Sequence, residues 1–466
     1  MNQVNVVIAA LPFIETDEPM MAPALLKGIV NKTNLSSYAF DFNAEVREYI
    51  DQHLQSSKEK INRWFLYEEN QDDSDVIDGI ARLVEYVGNR IISKNPTWVC
   101  LSLFCNTAKK FNIELCRYLK KHNKDLKIVI GGNAVFTDKD SYRPYGIILQ
   151  KLKLIDYYIV GDGEEPLYNL LTGGSLEGVS ANEFQVLDDL SKQPFSDYGD
   201  YNWNMYATKR IPMYASRGCV RRCTFCDVYK LWKKFKIKHA EDVFAELLHQ
   251  IDETGISNFY FRDSLINGSI SEYNRLMKLI ADYNKTAVSK IKWTSFFIFR
   301  PQTQMSEDDW KATAEGGADN LIVGIESLVD SIRYHMRKKF TNTDIDFGLE
   351  MAKKYGIKIT FLLISGYVNE TEQDFQESLE WLKTHRNYAK NPICSMNIGG
   401  TLTVTDLTDL YKNAEDFNIT LGNNIYTWEN KSINLDYETR EKRKEIFIKT
   451  ATELGYPVFS HKKPVT

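Results

Sequence analysis

Short, continuous apolar runs alternate with helix-patterned stretches along most of this chain, and that rhythm constrains its fold more than any other feature. In the first part the runs are VNVVIAAL (4–11), SYAFDF (37–42), TWVCLSLF (97–104), KIVIGG (127–132) and DYYIVGDG (156–163). Strands that are apolar along their whole length suit a parallel sheet covered on both faces. Helical patterns near 20–31, 108–122 and 164–172, with a charged helical insertion at 44–94, fill the intervals. The expectation is an N-terminal doubly wound parallel-sheet α/β domain over 1–178, with ligands beyond the carboxyl ends of its strands.

The rhythm weakens over 179–210, where SKQPFSDYGDYNWNMYATKR, rich in tyrosine and turn residues, reads as a linker. A second series then runs through IPMYAS (211–216), NFYFRDS (258–264), KWTSFFIF (292–299), NLIVGIES (320–327), IKITFLLI (357–364) and ICSMNIG (393–399). Helical patterns near 239–254, 271–286, 306–316, 343–355 and 371–386 separate them. Ser306 with Asp309, and Thr371 with Asp374, mark two of the starts as near capping boxes. Six such repeats over 211–400 predict a partial (β/α)6 barrel whose chemistry sits on loops at the strands' carboxyl ends. Residues 401–466 lack the alternation and read as a small C-terminal region with one helix near 437–454.

Composition removes several function classes. Lys plus Arg number 58 against 63 Asp plus Glu, a net charge of −5 that argues against general nucleic-acid binding. The apolar run at 4–11 has no basic segment before it and is too short to cross a membrane. Seven cysteines, an odd number with Cys100, Cys105, Cys116 and Cys394 scattered, do not make a disulfide framework. The reading is a cytoplasmic protein.

The other three cysteines crowd into SRGCVRRCTFCDVYK (216–230), at Cys219, Cys223 and Cys226. Their i, i+4, i+7 spacing is that of one helix face, a buried core stripe. Against this, Arg217, Arg221 and Arg222 surround them and Gly218 precedes them, which suits a loop better. Zinc is a second reading, with His239 completing a Cys3His set; it would make the chain a zinc-stabilised, non-catalytic binding protein. An iron–sulfur cluster is the third. Three thiolates would hold three corners of a [4Fe–4S] cube and leave one iron open.

CVRRCTFC (219–226) after the first barrel strand resembles the signature of radical S-adenosylmethionine (radical SAM) enzymes, and the six repeats agree with that family's partial barrel. The resemblance implies a [4Fe–4S] cluster on Cys219, Cys223 and Cys226, with SAM chelated at the open iron and cleaved to a 5′-deoxyadenosyl radical. It places Phe225 near the adenine. YFRDS (260–264) resembles the second-strand segment, with Asp263 meeting the SAM amine or ribose, or else capping the next turn. The Gly-Gly-Glu form common near there is absent.

FRPQ (299–302) and VGIES (323–327) resemble strand ends of the cobalamin-associated branch, which implies Arg300 at the SAM carboxylate and Glu326 at its ribose or amine. The two could instead pair with each other. ISGYVNET (364–371) resembles the fifth-strand loop, with Gly366 giving close backbone approach and Val368-Asn369 replacing the usual Pro-Gly. Upstream, IVIGGNAVFT (128–137) and IDYYIVGDGEEPLYNLL (155–171) resemble the branch's cobalamin-binding domain. Gly131, Gly132, Gly161 and Gly163 would let the corrin approach, with Leu11, Pro12 and Ser102 as weaker candidates. PFIETDEP (12–19) holds no histidine, so any cobalamin would bind without a lower axial His.

The implied activity is cobalamin-dependent C-methylation of an unknown substrate, fed by a low-potential donor such as flavodoxin or ferredoxin. A cobalamin-independent radical rearrangement or cyclisation is the alternative.

Overall fold

The computed structural model describes residues 4–12, 18–136, 145–181, 183–389 and 394–460. Phe13–Asp17 of the PFIETDEP loop, Thr137 and Ile393 lie outside them. Two compact units are present, one built on residues before Tyr214 with Leu248–Ile256, the other on Tyr214–Leu247 with residues from Ser257 onward.

The first unit holds β1 (Val6–Ala10), β2 (Ser37–Asp41), β3 (Trp98–Ser102), β4 (Lys127–Gly131) and β5 (Tyr157–Tyr158), in the order β2-β1-β3-β4-β5. All four pairings are parallel. β1 is buried at every residue, as its unbroken apolar run requires of a central strand. Register aligns the carboxyl edge: Ala10 lies opposite both Asp41 and Ser102, and Ser102 opposite Gly131. β5 is much shorter than the apolar run at 156–163. Beyond Tyr158 only isolated bridges continue it, from Ile159 to Val179 and from Gly161 to Gln185, and Gly161 has φ +90°, off the extended ladder. The charged insertion forms helices Phe42–His53, Lys58–Tyr67 and Ser74–Ile92, the first and last capped by the Asp41 and Asp73 carboxylates.

The stretch at 179–210 is not a free linker. Tyr198, Tyr201 and Tyr206 are buried, with the Tyr201 hydroxyl donating to the Met20 carbonyl at 2.6 Å and Tyr206 to Asp41 at 2.9 Å. Asp200 accepts from the Ala39 amide at 2.9 Å and pairs with Lys27 at 2.6 Å. The tyrosines that made the segment look irregular bury their rings here and satisfy their hydroxyls.

The second series gives β6 (Ile211–Met213), β7 (Ser216–Arg217), β8 (Lys236–Ile237), β9 (Asn258–Phe261), β10 (Lys292–Phe297), β11 (Ala318–Glu326), β12 (Lys358–Ser365), β13 (Cys394–Thr401) and β14 (Val458–Ser460). Seven form one sheet in the order β14-β13-β12-β11-β10-β9-β6, parallel from β9 to β14. IPMYAS therefore divides: its end leaves the sheet as β7, which pairs antiparallel with β8. The capping boxes at Ser306/Asp309 and Thr371/Asp374 are complete, and a third at Thr341/Asp344 starts helix Asn342–Tyr355. The C-terminal region is more than an appendage. β14 extends the barrel sheet beyond β13, and helix Tyr437–Glu453 packs on β12 and β13.

Candidate iron–sulfur and SAM site

The cysteines lie on a loop pinched at its base by β7 and β8, where Arg217 faces Lys236. Gly218 turns the chain out of that ribbon with φ +78°. A Cβ there would meet the Lys234 carbonyl at 2.7 Å, so only glycine fits. From Gly218 to Asp227 the backbone is irregular and helix Val228–Trp232 begins only afterwards, which removes the helical core stripe.

Burial pushes the Cys223 thiol up and the Cys226 thiol up to about 12, with neighbouring thiols adding to both. Arg221 and Lys338 act against this at Cys223. Among the described residues no three His, Cys, Asp or Glu side chains converge as a single ion requires. A cube does not ask for convergence, since each thiolate takes its own iron. Its negative charge also fits the surrounding cations. Arg221 and Arg300 are half-buried beside Cys219 and repel each other, and among the described residues neither has a carboxylate partner and the Nε of each is buried without an acceptor.

Arg300 and Glu326 do not pair. The Arg300 Nη2 donates to the Asn267 carbonyl at 2.8 Å and more weakly to that of Gly268. Glu326 instead accepts from Lys338 Nζ at 3.0 Å, and Lys338 also donates to the Gly324 carbonyl at 2.7 Å. Glu326 has φ +62°, at a register shift in the β11–β12 pairing that re-aims its side chain. Lys338 is buried, lies 5.5 Å from the centre of the Phe225 ring and stands near Cys223 and Cys226. Nothing in the sequence singled it out, because RKKF reads as a solvated charge run.

Asp263 departs from the expected cofactor contact. Its carboxylate is 0% exposed, accepting from the Ala215 amide at 3.0 Å and from the Ser216 hydroxyl, and burial raises it to about 6. With no free face to offer SAM, and not capping the turn after it, it holds the approach to the cysteine loop. Gly366 departs as well. At φ +71° its missing Cβ makes room for the stem of Arg440, whose Cγ would stand 2.2 Å from that atom. On its Cβ side the close approach comes from the protein itself.

Thr224, between two of the cysteines, is fully buried and held at three polar groups. Its amide donates to the Met336 carbonyl at 3.3 Å, its carbonyl accepts from the Leu410 amide at 3.1 Å, and its hydroxyl meets that of Tyr367 at 2.6 Å. Phe225 is half-buried against the cluster of Val329, Met336, Val368, Leu402 and Trp428.

In the first unit, Leu11, Ser102 and Gly131 come together at the carboxyl edge: the Leu11 amide donates to the Ser102 carbonyl, and that of Leu103 to Gly131. Pro12 is buried beside them in the chain. Gly132 and Gly161 do not open that edge. Cβ atoms there would strike the backbone of Leu103 at 2.5 Å and of Gln185 at 2.3 Å, so local packing already accounts for them. Gly131 and Gly163 have only ordinary contacts.

An irregular thiol loop beside Arg221, Arg300 and Lys338, at the end of a parallel sheet, is the arrangement expected of a cluster-bearing enzyme. Residues 213–382 match the model of the Radical SAM superfamily, and the chain is an enzyme carrying a radical SAM domain. Its fold is similar to that of the radical SAM methyltransferase TsrM from Kitasatospora setae, solved with cobalamin and a [4Fe-4S] cluster, which aligns with a TM-score of 0.62 at 12% identity. That alignment covers 95% of this chain and 85% of TsrM. Among curated proteins, an uncharacterized methyltransferase of Pyrococcus horikoshii is 22% identical over 67% of this chain and 70% of its own length. The cytidylyl-2-hydroxyethylphosphonate methyltransferase of Streptomyces wedmorensis is 25% identical over 47% of this chain, which spans only 42% of that relative. Among the described residues no helix is long and apolar enough to cross a membrane.

Proposed function

We propose that this chain is a cobalamin-dependent radical SAM methylase acting on carbon. Cys219, Cys223 and Cys226 would hold a [4Fe–4S] cluster, with SAM beside Phe225 and its carboxylate met by the spare donors of Arg300. Bound there, such a cluster would supply the low-potential electron for reductive cleavage of SAM. The protein's part is to fix the thiols, balance their charge through Arg221 and Lys338, and keep water from the reacting groups. The corrin would lie at the edge formed by Leu11, Ser102 and Gly131. The observation that carries the reading is the three-thiol loop beside two arginines that lack carboxylate partners among the described residues. The methyltransferase names of the relatives and the cobalamin in the TsrM structure support the methyl-transfer part. An acidic low-potential carrier of the flavodoxin or ferredoxin type is the proposed electron source.

Anaerobic reconstitution should give a brown protein with iron and sulfide, which releases 5′-deoxyadenosine from SAM under dithionite. Replacing the three cysteines with alanine should abolish both. A colourless protein with stoichiometric zinc would refute the reading. Backbone packed against Gly132 and Gly161 accounts for both glycines without a corrin, which favours a second version, a radical SAM enzyme without cobalamin. A corrin absorption spectrum retained after gel filtration decides between them.

A further inference from the structure

The helix Asp409–Lys412 lies in the C-terminal region, far along the chain from the cysteines, yet its first two residues bind the elements around them. The Asp409 carboxylate is 12% exposed and fully engaged. One oxygen accepts from the Tyr229 hydroxyl at 2.6 Å and the Lys230 ammonium at 2.8 Å; the other accepts from Arg337 at 2.6 Å. Tyr229 and Lys230 begin three residues after Cys226, and Arg337 adjoins Lys338. The next residue, Leu410, donates its amide to the Thr224 carbonyl inside the cysteine loop at 3.1 Å.

A loop without a hydrogen-bonded ladder of its own takes its shape from outside partners. The thiols must stand at fixed separations, so whatever fixes Thr224 and the segment after Cys226 fixes the cluster. We propose that Asp409 and Leu410 form a clasp that positions the cysteine loop, making Asp409 a positioning residue for the cluster. This rests on the cluster assignment above.

The test uses the full chain with Asp409→Ala, Asp409→Asn and Asp409→Glu. In iron-free protein, hydrogen–deuterium exchange over 219–232 should rise in the Ala and Asn variants while β12 stays protected. In reconstituted protein, transfer of iron to an anaerobic chelator should be about tenfold faster for Ala, the scale on which outer partners of metal sites act. The EPR spectrum of the reduced cluster and its change on adding SAM should alter, with Glu closer to wild type than Ala. Unchanged exchange together with an unchanged spectrum and iron release would overturn the clasp. A wild-type chain that takes up no iron would overturn the cluster assignment instead, and exchange in the iron-free chain would still decide the clasp.

Discussion

Replacing Gly366 with alanine separates two roles for the fifth-strand loop, ligand approach and internal packing. The new Cβ would lie 2.2 Å from Arg440 Cγ and 2.7 Å from its Cδ, in a backbone at φ +71°. Arg440 cannot easily yield. It is fully buried, its guanidinium sits 3.6 Å over the Trp428 ring, and its Nη2 donates to the Tyr426 and Trp428 carbonyls. A left-handed alanine costs about 1–2 kcal/mol and overpacking about 1–3, so Gly366→Ala should destabilise by roughly 2–5 kcal/mol.

Gly356 is the control, because it has φ +72° with nothing within 4 Å of its added Cβ. Gly356→Ala should lose only the backbone part, about 1–2 kcal/mol. The chain divides into two compact units, so the assay is calorimetry of the apo protein, reading the transition that Arg440→Ala also moves. At roughly 2–4 °C per kcal/mol, Gly366→Ala should lower that transition by about 4–20 °C. Combining it with Arg440→Ala should remove the clash and make the double variant more stable than the two losses added. A drop no larger than that of Gly356→Ala, with weakened SAM binding, would refute the packing argument and return Gly366 to the cofactor.

Lys338→Met leaves the Glu326 carboxylate, 13% exposed, without its partner and should cost about 3–5 kcal/mol by thermal melt; adding Glu326→Leu should recover much of it, and no recovery would count against the pair. Asp263→Asn keeps one acceptor but turns its NH2 toward the other donor, either the Ala215 amide or the Ser216 hydroxyl, so a loss of about 1–3 kcal/mol is expected, measured alongside SAM affinity. Burial raises Asp409, but the hydrogen bonds from Lys230, Tyr229 and Arg337 outweigh it and hold the carboxyl at about 2. Because the folded value lies below the unfolded one, its contribution is complete above the unfolded value near 3.8 and is lost as the pH falls through about 2. Acid unfolding of Asp409→Asn should therefore lack that dependence.

Where apolar periodicity governs the backbone, the sequence was enough: the runs at 37–42 and 292–299 became β2 and β10 almost residue for residue. Ser306 and Thr371 announced their helices because a capping box is local chemistry. The failures share a different cause. β14 shows only three residues to read, and its partner β13 lies far upstream. The tyrosines at 198, 201 and 206 looked like loop residues because their partners sit in other elements. The thiol loop was visible in spacing, whereas Lys338, Asp409 and the seat of Asp263 depend on contacts that no local pattern encodes.

The pairing of β14 with β13, Met396 against Val458 and Ile398 against Ser460, also sets an order of events. As the chain leaves the ribosome, β13 emerges well before the strand that covers it, and its outer amides and carbonyls stand as an open template in the interval. A nascent chain halted before Val458 would have its cysteine loop in hand and still present a bare sheet edge.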